Sequence, residues 1–258
     1  MGYSALELTD RVAVVVGGTS GIGRAIALGL AEAGADVVVS SRRAGHVDAV
    51  ATEIESRGRK TVRMTADVSD RASLAALLEK CVAELGQVDI LVNCAGRTKR
   101  GATLDVDEAE WNAIIETNLN GTLRACQVFG RHMLERGSGK IINIGSLTSF
   151  VSFMEVAAYG ASKSAVRALT QSLAIEWGPR GVNVNGIAPG VFRTDLNSAL
   201  LDGTDRGREL LQRTPMKRFG DVSELAGTAV FLASEAASFI NGEIIAVDGG
   251  FLASGVNQ

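Results

Sequence analysis

The sequence contains few of the residues on which disulfide scaffolds, zinc sites and histidine catalysis depend. Its 258 residues include two histidines and three cysteines, and Cys81, Cys94 and Cys126 show neither Cys-x-x-Cys nor Cys/His spacing. A disulfide framework, a zinc site and a His-based triad are therefore not indicated. We expect Cys94 to be a small buried side chain, with a reactive or redox-sensing thiol as the alternative.

The chain also lacks an excess of positive charge. Its formal net charge is −3, whereas nucleic-acid-binding surfaces are usually basic, so we expect no nucleic-acid partner. The basic residues that do cluster form two short groups, which suit a small anion better. The groups are Arg42 with Arg43, and Arg97 with Lys99 and Arg100.

Long apolar runs are absent as well. No run reaches the roughly 18 residues that a membrane-spanning helix needs, and the first residues, MGYSALELTDR, are polar and charged. Leu6 stands where an N-myristoylation motif requires Ser or Thr. We expect a reduced, soluble, cytoplasmic protein without a membrane partner.

Short β-branched runs alternate with longer helical patterns along the chain. Runs that read as buried strands cover residues 12–16, 37–39, 90–92, 141–144, 182–187 and 244–247, and residues 61–65 alternate like a strand nearer an edge. Apolar residues from Leu74 to Leu85 recur at helical spacing, with Ser69 and Asp70 placed where an N-cap would be and Gly86 as the residue after the helix. This alternation predicts βαβ units, and hence a parallel α/β sheet covered by helices on both faces.

No composition shift or linker divides the chain, so we read residues 1–258 as one domain. Residues 194–220 interrupt the pattern with a polar stretch that contains Gly203 and Gly207. So long an interruption in a compact domain is often a lid over a binding site, and a loose surface loop is the alternative.

The first predicted strand runs directly into the glycine-rich turn Gly-Gly-Thr-Ser-Gly-Ile-Gly at residues 17–23. Glycines between a strand and a helix let the backbone turn tightly and let a pyrophosphate approach the helix N-terminus, where free N–H groups favour negative charge. The strand–turn–helix context predicts a nucleotide site, against the alternative of a merely tight turn.

The end of the second predicted strand indicates which dinucleotide binds. An acidic residue there would hold the ribose 2′-hydroxyl of NAD, but the sequence reads Ser40-Ser41-Arg42-Arg43. Hydroxyls and guanidinium groups suit a 2′-phosphate. We therefore predict NADP(H), with NAD(H) also possible; two solvated arginines on a loop are the alternative.

Tyr159 and Lys163 lie four residues apart in the helical stretch AAYGASKSA, so both leave one face of a helix. A tyrosine has an ordinary pKa near 10, and a nearby ammonium favours its phenolate form. Ser146 follows the strand at 141–144 and can loop back over this helix. Asn118 lies in an intervening helix, where a buried amide would need partners. These residues predict an acid/base site, against the alternative of an exposed Tyr/Lys pair.

Taken together, the motifs resemble the short-chain dehydrogenase/reductases over nearly the whole chain. The matching positions are the glycine turn, Asp67-Val68, Asn93 to Gly96, Asn118, Ser146, Tyr159-x-x-x-Lys163, Pro189-Gly190 with Thr194, and Asp248-Gly249-Gly250. Two positions depart from the family pattern. Val16 stands where a threonine is frequent, and Cys94 where a second asparagine is common.

The resemblance implies a doubly wound Rossmann sheet of seven strands, a homotetramer, and roles for individual residues. Tyr159 would donate or accept the proton, Ser146 would bind the reacting oxygen, Lys163 would lower the pKa of Tyr159, and Asn118 would hold a relay water. The expected cofactor contacts are Gly17, Thr19, Ser20, Gly21, Ile22, Gly23, Ser41, Arg42, Arg43, Asp67, Val68, Asn93, Ala95, Gly96, Tyr159, Lys163, Pro189, Gly190 and Thr194.

The substrate is indicated less directly. Residues 94–100 and 251–258 look most like family members that act on sugar acids or sugars, the gluconate 5-dehydrogenases among them. The candidate substrate-binding residues are Arg97, Ser146 and Tyr159. Arg97 could bind a carboxylate or phosphate of the substrate; the alternative is that residues 97–100 are only a solvated charge run. The leading expectation is an oxidoreductase that acts on a secondary alcohol or ketone of a sugar acid, sugar or polyol. A 3-oxoacyl-carrier-protein reductase and a non-catalytic NADP sensor are the alternatives.

Overall fold

The computed structural model describes residues 3–194 and 198–255 of the chain. Its strands are β1 (Val12–Val16), β2 (Asp36–Ser40), β3 (Ile90–Asn93), β4 (Gly139–Ile144), β5 (Val182–Pro189) and β6 (Ile244–Val247). Its α-helices are α1 (Gly21–Glu32), α2 (Ala44–Glu55), α3 (Arg71–Leu85), α4 (Glu108–Ile115), α5 (Gly121–Arg136), α6 (Ala157–Trp177), α7 (Ser198–Leu201), α8 (Asp205–Arg213) and α9 (Ala226–Ala233).

These strands form a parallel sheet in the order β2-β1-β3-β4-β5-β6. Val14 of β1 pairs with Val38 on one side and with Leu91 on the other. The chain therefore leaves β1 in one direction for β2 and crosses back to continue with β3. Such a reversal of strand order opens a crevice beyond the carboxyl ends of β1 and β3, where ligands of open α/β sheets bind.

Two apolar layers cover the sheet, one on each face. Because side chains alternate along a strand, Val15 of β1 faces a layer that contains residues of α1, α2 and α9, while Val14 faces residues of α3, α5 and α6. All five residues of β1 are buried. This arrangement confirms the doubly wound α/β class, and it explains why the strands read as continuous apolar runs.

The prediction of a seventh strand at residues 61–65 is wrong. The segment lies beside β2 at the edge of the sheet, and backbone hydrogen bonds join it only outside that stretch, from Val37 N to Lys60 O and from Ala66 N to Ser41 O. Between them, the carbonyl of Met64 accepts from the hydroxyl of Ser40 instead. The alternating pattern of residues 61–65 therefore correctly indicates a segment at the edge of the sheet. The ladder of backbone hydrogen bonds between this segment and β2 is interrupted, so no strand forms.

The predicted helix around Leu74 is confirmed as α3. The carboxylate of Asp70 accepts a hydrogen bond from the N–H of Ala72, and Gly86 ends the helix with a φ of 86°. The sequence pattern does not reveal the π-helical turn Glu116–Asn120, which joins α4 to α5. Within the described part of the chain, no helix is long and apolar enough to cross a membrane.

Candidate active site

The glycine turn after β1 lies against the segment that follows β3. Gly17 has a φ of 85°, and a Cβ at this position would come within 2.5 Å of the backbone nitrogen of Ala95. A Cβ at Gly23 would overlap the carbonyl oxygen of Gly17. Both glycines are therefore required by close backbone approach, which brings the ends of β1 and β3 together in the crevice.

The N-terminus of α1 can receive an anion. Its capping residue, Ser20, makes no side-chain hydrogen bond to the helix, so the first N–H groups have no capping partner. Among the described residues, a Cβ at Gly21 would meet only the side chain of Thr194, at 3.6 Å and beyond. Unpaired donors, a helix dipole and space above the turn fit the pyrophosphate of a dinucleotide. Thr19 is buried, and the side chain of Thr194 lies over the turn. The cofactor contacts expected of both residues stay predictions.

The side chains of Arg42 and Arg43 are exposed at the carboxyl end of β2. Neither guanidinium has a hydrogen bond or ion pair within residues 3–194 and 198–255. The carboxylate of Asp67 lies nearby and accepts from the N–H and the hydroxyl of Ser69 at 2.9 and 2.7 Å. These bonds, with the charge of Arg42, lower the pKa of Asp67. The rim therefore offers two cations and an ionised carboxylate.

The side chain of Asn93, which ends β3, lies in the interior. Its amide nitrogen donates to Asn143 Oδ1 at 2.8 Å and to Cys126 Sγ at 3.3 Å, while its own oxygen is buried and has no hydrogen-bond partner in the described part of the chain. Asn143 donates in turn to Thr170 at 2.9 Å. This buried chain, which the sequence pattern does not indicate, links β3 and β4 to α5 and α6. A cofactor contact of Asn93 stays a prediction, and its side chain is committed to the interior.

Helix α6 places Tyr159 and Lys163 one turn apart, at the carboxyl edge of the sheet. The ammonium of Lys163 lies 5.8 Å from the centroid of the Tyr159 ring and donates to the carbonyl of Ile144 at 2.7 Å. Ser146 follows β4, and its hydroxyl accepts from Thr148 N at 3.1 Å. The chain after Ser146 is fixed to α6 because Ser149 donates to the carbonyl of Lys163 at 2.8 Å. The structure thus brings the three predicted residues together.

Burial controls the protonation of this group. It lowers the pKa of Lys163 to about 8. It also raises the pKa of Tyr159, and the hydrogen bond with Ser146 opposes that effect without cancelling it. In the protein without cofactor, the pKa of Tyr159 is therefore above its ordinary value, because the loss of hydration outweighs the hydrogen bond with Ser146. The lowering expected from Lys163 and an oxidised cofactor stays a prediction.

Asn118 is fully buried in the π-helical turn and bridges to the segment after β3. Its side-chain oxygen accepts from Arg97 N at 2.8 Å, and its amide donates to Arg97 O at 2.9 Å and to Ser162 Oγ at 3.0 Å. The partners that a buried amide requires are therefore present. Both amide N–H groups of Asn118 are used in these hydrogen bonds and are not available to a water. The relay water expected on this residue stays a prediction.

The predicted basic cluster is paired with acidic residues. Arg97 contacts Glu110 at 2.5 Å, and Lys99 lies 3.6 Å from the same carboxylate. Arg100 forms a short ion pair with Glu155, whose own backbone has a φ of 64°. The cluster therefore presents little uncompensated charge. A substrate contact of Arg97 stays a prediction.

Beyond β5, Gly190 packs against the C-terminal segment. Its N–H donates to the carbonyl of Val247 at 2.8 Å, and a Cβ at Gly190 would lie 2.5 Å from Asp248 Cα. Cys94 is half-buried rather than buried. Loss of hydration raises the pKa of its thiol to about 11, which disfavours the thiolate that a reactive cysteine requires.

The fold and the site define a class of protein: a dinucleotide-binding α/β oxidoreductase with a Ser-Tyr-Lys group at the carboxyl edge of its sheet. A family model described as "Enoyl-(Acyl carrier protein) reductase" matches residues 16–252. The chain belongs to the short-chain dehydrogenase/reductase family.

Named relatives cover almost the whole chain. A 2-dehydro-3-deoxy-D-gluconate 5-dehydrogenase of Dickeya dadantii is 42% identical, with 97% of this chain and 98% of that enzyme covered. A gluconate 5-dehydrogenase of Gluconobacter oxydans is 38% identical, with 96% and 97% covered. The crystal structure of a gluconate 5-dehydrogenase from Burkholderia cenocepacia in complex with NADP and tartrate has a TM-score of 0.94 and 39% identity, with 98% and 99% covered.

Proposed function

We propose that this protein is an NADP(H)-dependent oxidoreductase that interconverts a secondary alcohol and a ketone of a sugar acid, gluconate or a close relative. The observation that carries the proposal is the grouping of Ser146, Tyr159 and Lys163 beside the glycine turn, at the crevice of a parallel sheet. The names of full-length relatives support a sugar acid as the substrate.

Tyr159 moves the proton. Because burial raises its pKa, the phenol is protonated at neutral pH and donates to the carbonyl oxygen during ketone reduction. The hydroxyl of Ser146 binds the same oxygen and orients it. When bound, NADP supplies or accepts the hydride, and its oxidised ring adds a positive charge that favours the phenolate needed for alcohol oxidation. Lys163, whose pKa is about 8, is largely an ammonium at pH 7 and favours the phenolate in the same way.

Arg42 and Arg43 select NADP over NAD by binding the 2′-phosphate, since a guanidinium pairs with phosphate through two N–H donors. Arg42→Ala/Arg43→Ala should lower the ratio of kcat/KM with NADP⁺ to kcat/KM with NAD⁺ at least tenfold. Arg180→Ala is a matched control. Arg180 is also exposed, but it lies before the first residue of β5, at the amino-terminal ends of the strands and away from the carboxyl ends where the cofactor is expected. An unchanged ratio in the double variant would refute this assignment.

The substrate carboxylate binds on the side of the cleft that carries Arg97 and Arg100. Both guanidinium groups already pair with carboxylates, so a substrate carboxylate has to displace Glu110 or Glu155 from its arginine. Residues 194–220 act as the lid of this cleft; residues 195–197 of that segment lie outside the described residues, as do residues 256–258 of the tail. We further propose a cytoplasmic homotetramer, which sedimentation analysis would test.

A panel of spectrophotometric assays tests the proposal. D-Gluconate, related sugar acids, sugars and polyols are offered with NADP⁺ and NAD⁺, and an acetoacetyl thioester with NADPH and NADH. We expect oxidation of a sugar acid with NADP⁺. Reduction of the thioester alone would assign the protein to carrier-protein chemistry, for which its compensated basic cluster offers little docking charge. Tight NADPH binding without turnover would instead favour a sensor.

A further inference from the structure

The ring of Phe251 is buried between two segments that come from distant parts of the chain. Only 3% of Phe251 is exposed. The guanidinium carbon of Arg213, the last residue of α8, lies 5.1 Å from the centroid of the ring. The ring of Phe153 is 5.8 Å away, centroid to centroid, and tilted by 58°. Such tilted aromatic pairs and cation–π contacts are attractive, so Phe251 holds Arg213 and Phe153 together.

A tight turn after β6 fixes the position of Phe251. Both oxygens of Asp248 accept backbone hydrogen bonds at 2.8 Å, one from Gly250 and one from Leu252. Gly249 and Gly250 have φ values of 64° and 89°, a region in which other residues are strained. The turn also contacts the segment after α8, where Met216 N donates to the carbonyl of Gly249 at 3.2 Å.

The other partner of Phe251 belongs to the segment between the catalytic serine and tyrosine. Phe153 lies between Ser146 and Tyr159, in the stretch where Glu155 pairs with Arg100 and accepts a backbone hydrogen bond from Gly101 at 2.8 Å. A displacement of Phe153 would therefore move the segment that leads into α6 and Tyr159, while leaving the glycine turn untouched.

We propose that Phe251 is a positioning residue that sets the width of the substrate cleft by joining α8 to the segment that carries Phe153. The proposal rests on the proposed function in placing the substrate between these two segments. It assigns Phe251 to substrate affinity, because neither Arg213 nor Phe153, which the ring of Phe251 contacts, is an expected cofactor-binding residue.

Kinetics test the effect on the substrate. Phe251→Ala should raise KM for the sugar acid about tenfold, as expected for the loss of an aromatic pair and a cation–π contact. We expect kcat to change less than threefold and the Kd of NADPH, measured by fluorescence titration, to stay unchanged. Phe251→Tyr keeps the ring and should restore KM. Phe239→Ala, at a fully exposed ring, is the control for removal of a phenylalanine.

The contacts of Phe251 with Arg213 and Phe153 form a joint between α8 and the segment before α6. Limited proteolysis tests this joint without any substrate. In the NADPH-bound protein, Phe251→Ala should speed tryptic cleavage in α8 and the segment after it, at Arg206, Arg208 or Lys217, about tenfold relative to wild type. If wild type oxidises none of the sugar acids, the proposed substrate is wrong, and the cleavage rate alone decides on the joint.

A third variant covers the case in which Phe251→Ala fails to fold. Arg213 is exposed, so Arg213→Ala removes one side of the joint without opening the core. It should raise KM two- to fivefold and speed tryptic cleavage at Arg206, Arg208 or Lys217 by the same factor, as expected for about one cation–π contact. Unchanged KM and unchanged cleavage in Arg213→Ala and in a folded Phe251→Ala would overturn the proposal, as would a weakened Kd for NADPH with KM unaltered.

Discussion

Replacing Lys163 by methionine should stabilise the protein at neutral pH while removing its activity. Only 5% of Lys163 is exposed, and burial lowers its pKa from 10.5 to about 8. The folded state therefore holds a cation that would be more stable in water. Methionine fills a similar volume without charge.

The magnitude follows from the pKa. At about 1.36 kcal/mol for each tenfold change, the fall from 10.5 to about 8 corresponds to about 3 kcal/mol of destabilisation at pH 7. Methionine also loses the hydrogen bond to Ile144 O, which costs about 1 kcal/mol. We expect Lys163→Met to be more stable by about 2 kcal/mol, which raises Tm by about 4–8 °C in a chain of this size.

The sign of the pH dependence provides a second check. The folded-state pKa of Lys163 is below its unfolded value, so between about pH 8 and pH 10.5 the unfolded chain binds more protons, and wild type gains stability as pH rises. Urea unfolding at equal protein concentration should show the advantage of Lys163→Met shrinking by about 2 kcal/mol between pH 7 and pH 9.5. Lys60→Met, at an exposed lysine, should show no such change. A Lys163→Met variant that is less stable than wild type at both pH values would refute the assigned cost of burial.

Three further predictions concern other parts of the molecule. Asp89→Ala removes a buried carboxylate that accepts from Val12 N and from Arg136 at 2.9 Å each, so chemical denaturation should show a loss of about 3–5 kcal/mol. Gly23→Ala places a Cβ against the carbonyl of Gly17; calorimetry should show NADPH binding weakened at least tenfold in a folded variant, and native affinity would contradict the role of the turn. Because burial raises the pKa of Tyr159 in the protein without cofactor, tyrosinate absorbance compared between wild type and Tyr159→Phe should show Tyr159 still protonated at pH 9, and ionisation below pH 8 would disagree.

The sheet was predictable from the sequence because its strands are buried on both faces. A strand such as β1 has no exposed side chain, so its short, continuous apolar run differs clearly from the pattern of a surface loop or an amphipathic helix. The prediction of a strand at residues 61–65 failed because side-chain burial alternates at the edge of a sheet whether or not the backbone forms a ladder of hydrogen bonds. The hydrophobic periodicity of a sequence does not indicate which group a backbone carbonyl bonds to. The carbonyl of Met64, for example, accepts from the hydroxyl of Ser40.

The candidate site was predictable where spacing fixes geometry. Tyr159 and Lys163 share a helix face whatever surrounds them, and the glycine turn follows from its place after β1. The direction of the Tyr159 pKa was not predictable, because it depends on how completely the assembled fold removes water from the ring. The compensation of Arg97 by Glu110 also required the fold, since these residues lie on different segments.

The most direct test of the central claim is single-turnover kinetics of Tyr159→Phe with a sugar acid that wild type oxidises with NADP⁺. We predict a loss of about 10²–10⁴-fold in the rate of the chemical step, with the Kd of NADPH largely unchanged because the phenol is only one of many expected cofactor contacts and the turn after β1 is intact. A Tyr159→Phe variant that turned over at near-native rate would contradict the assignment of Tyr159 as the group that moves the proton.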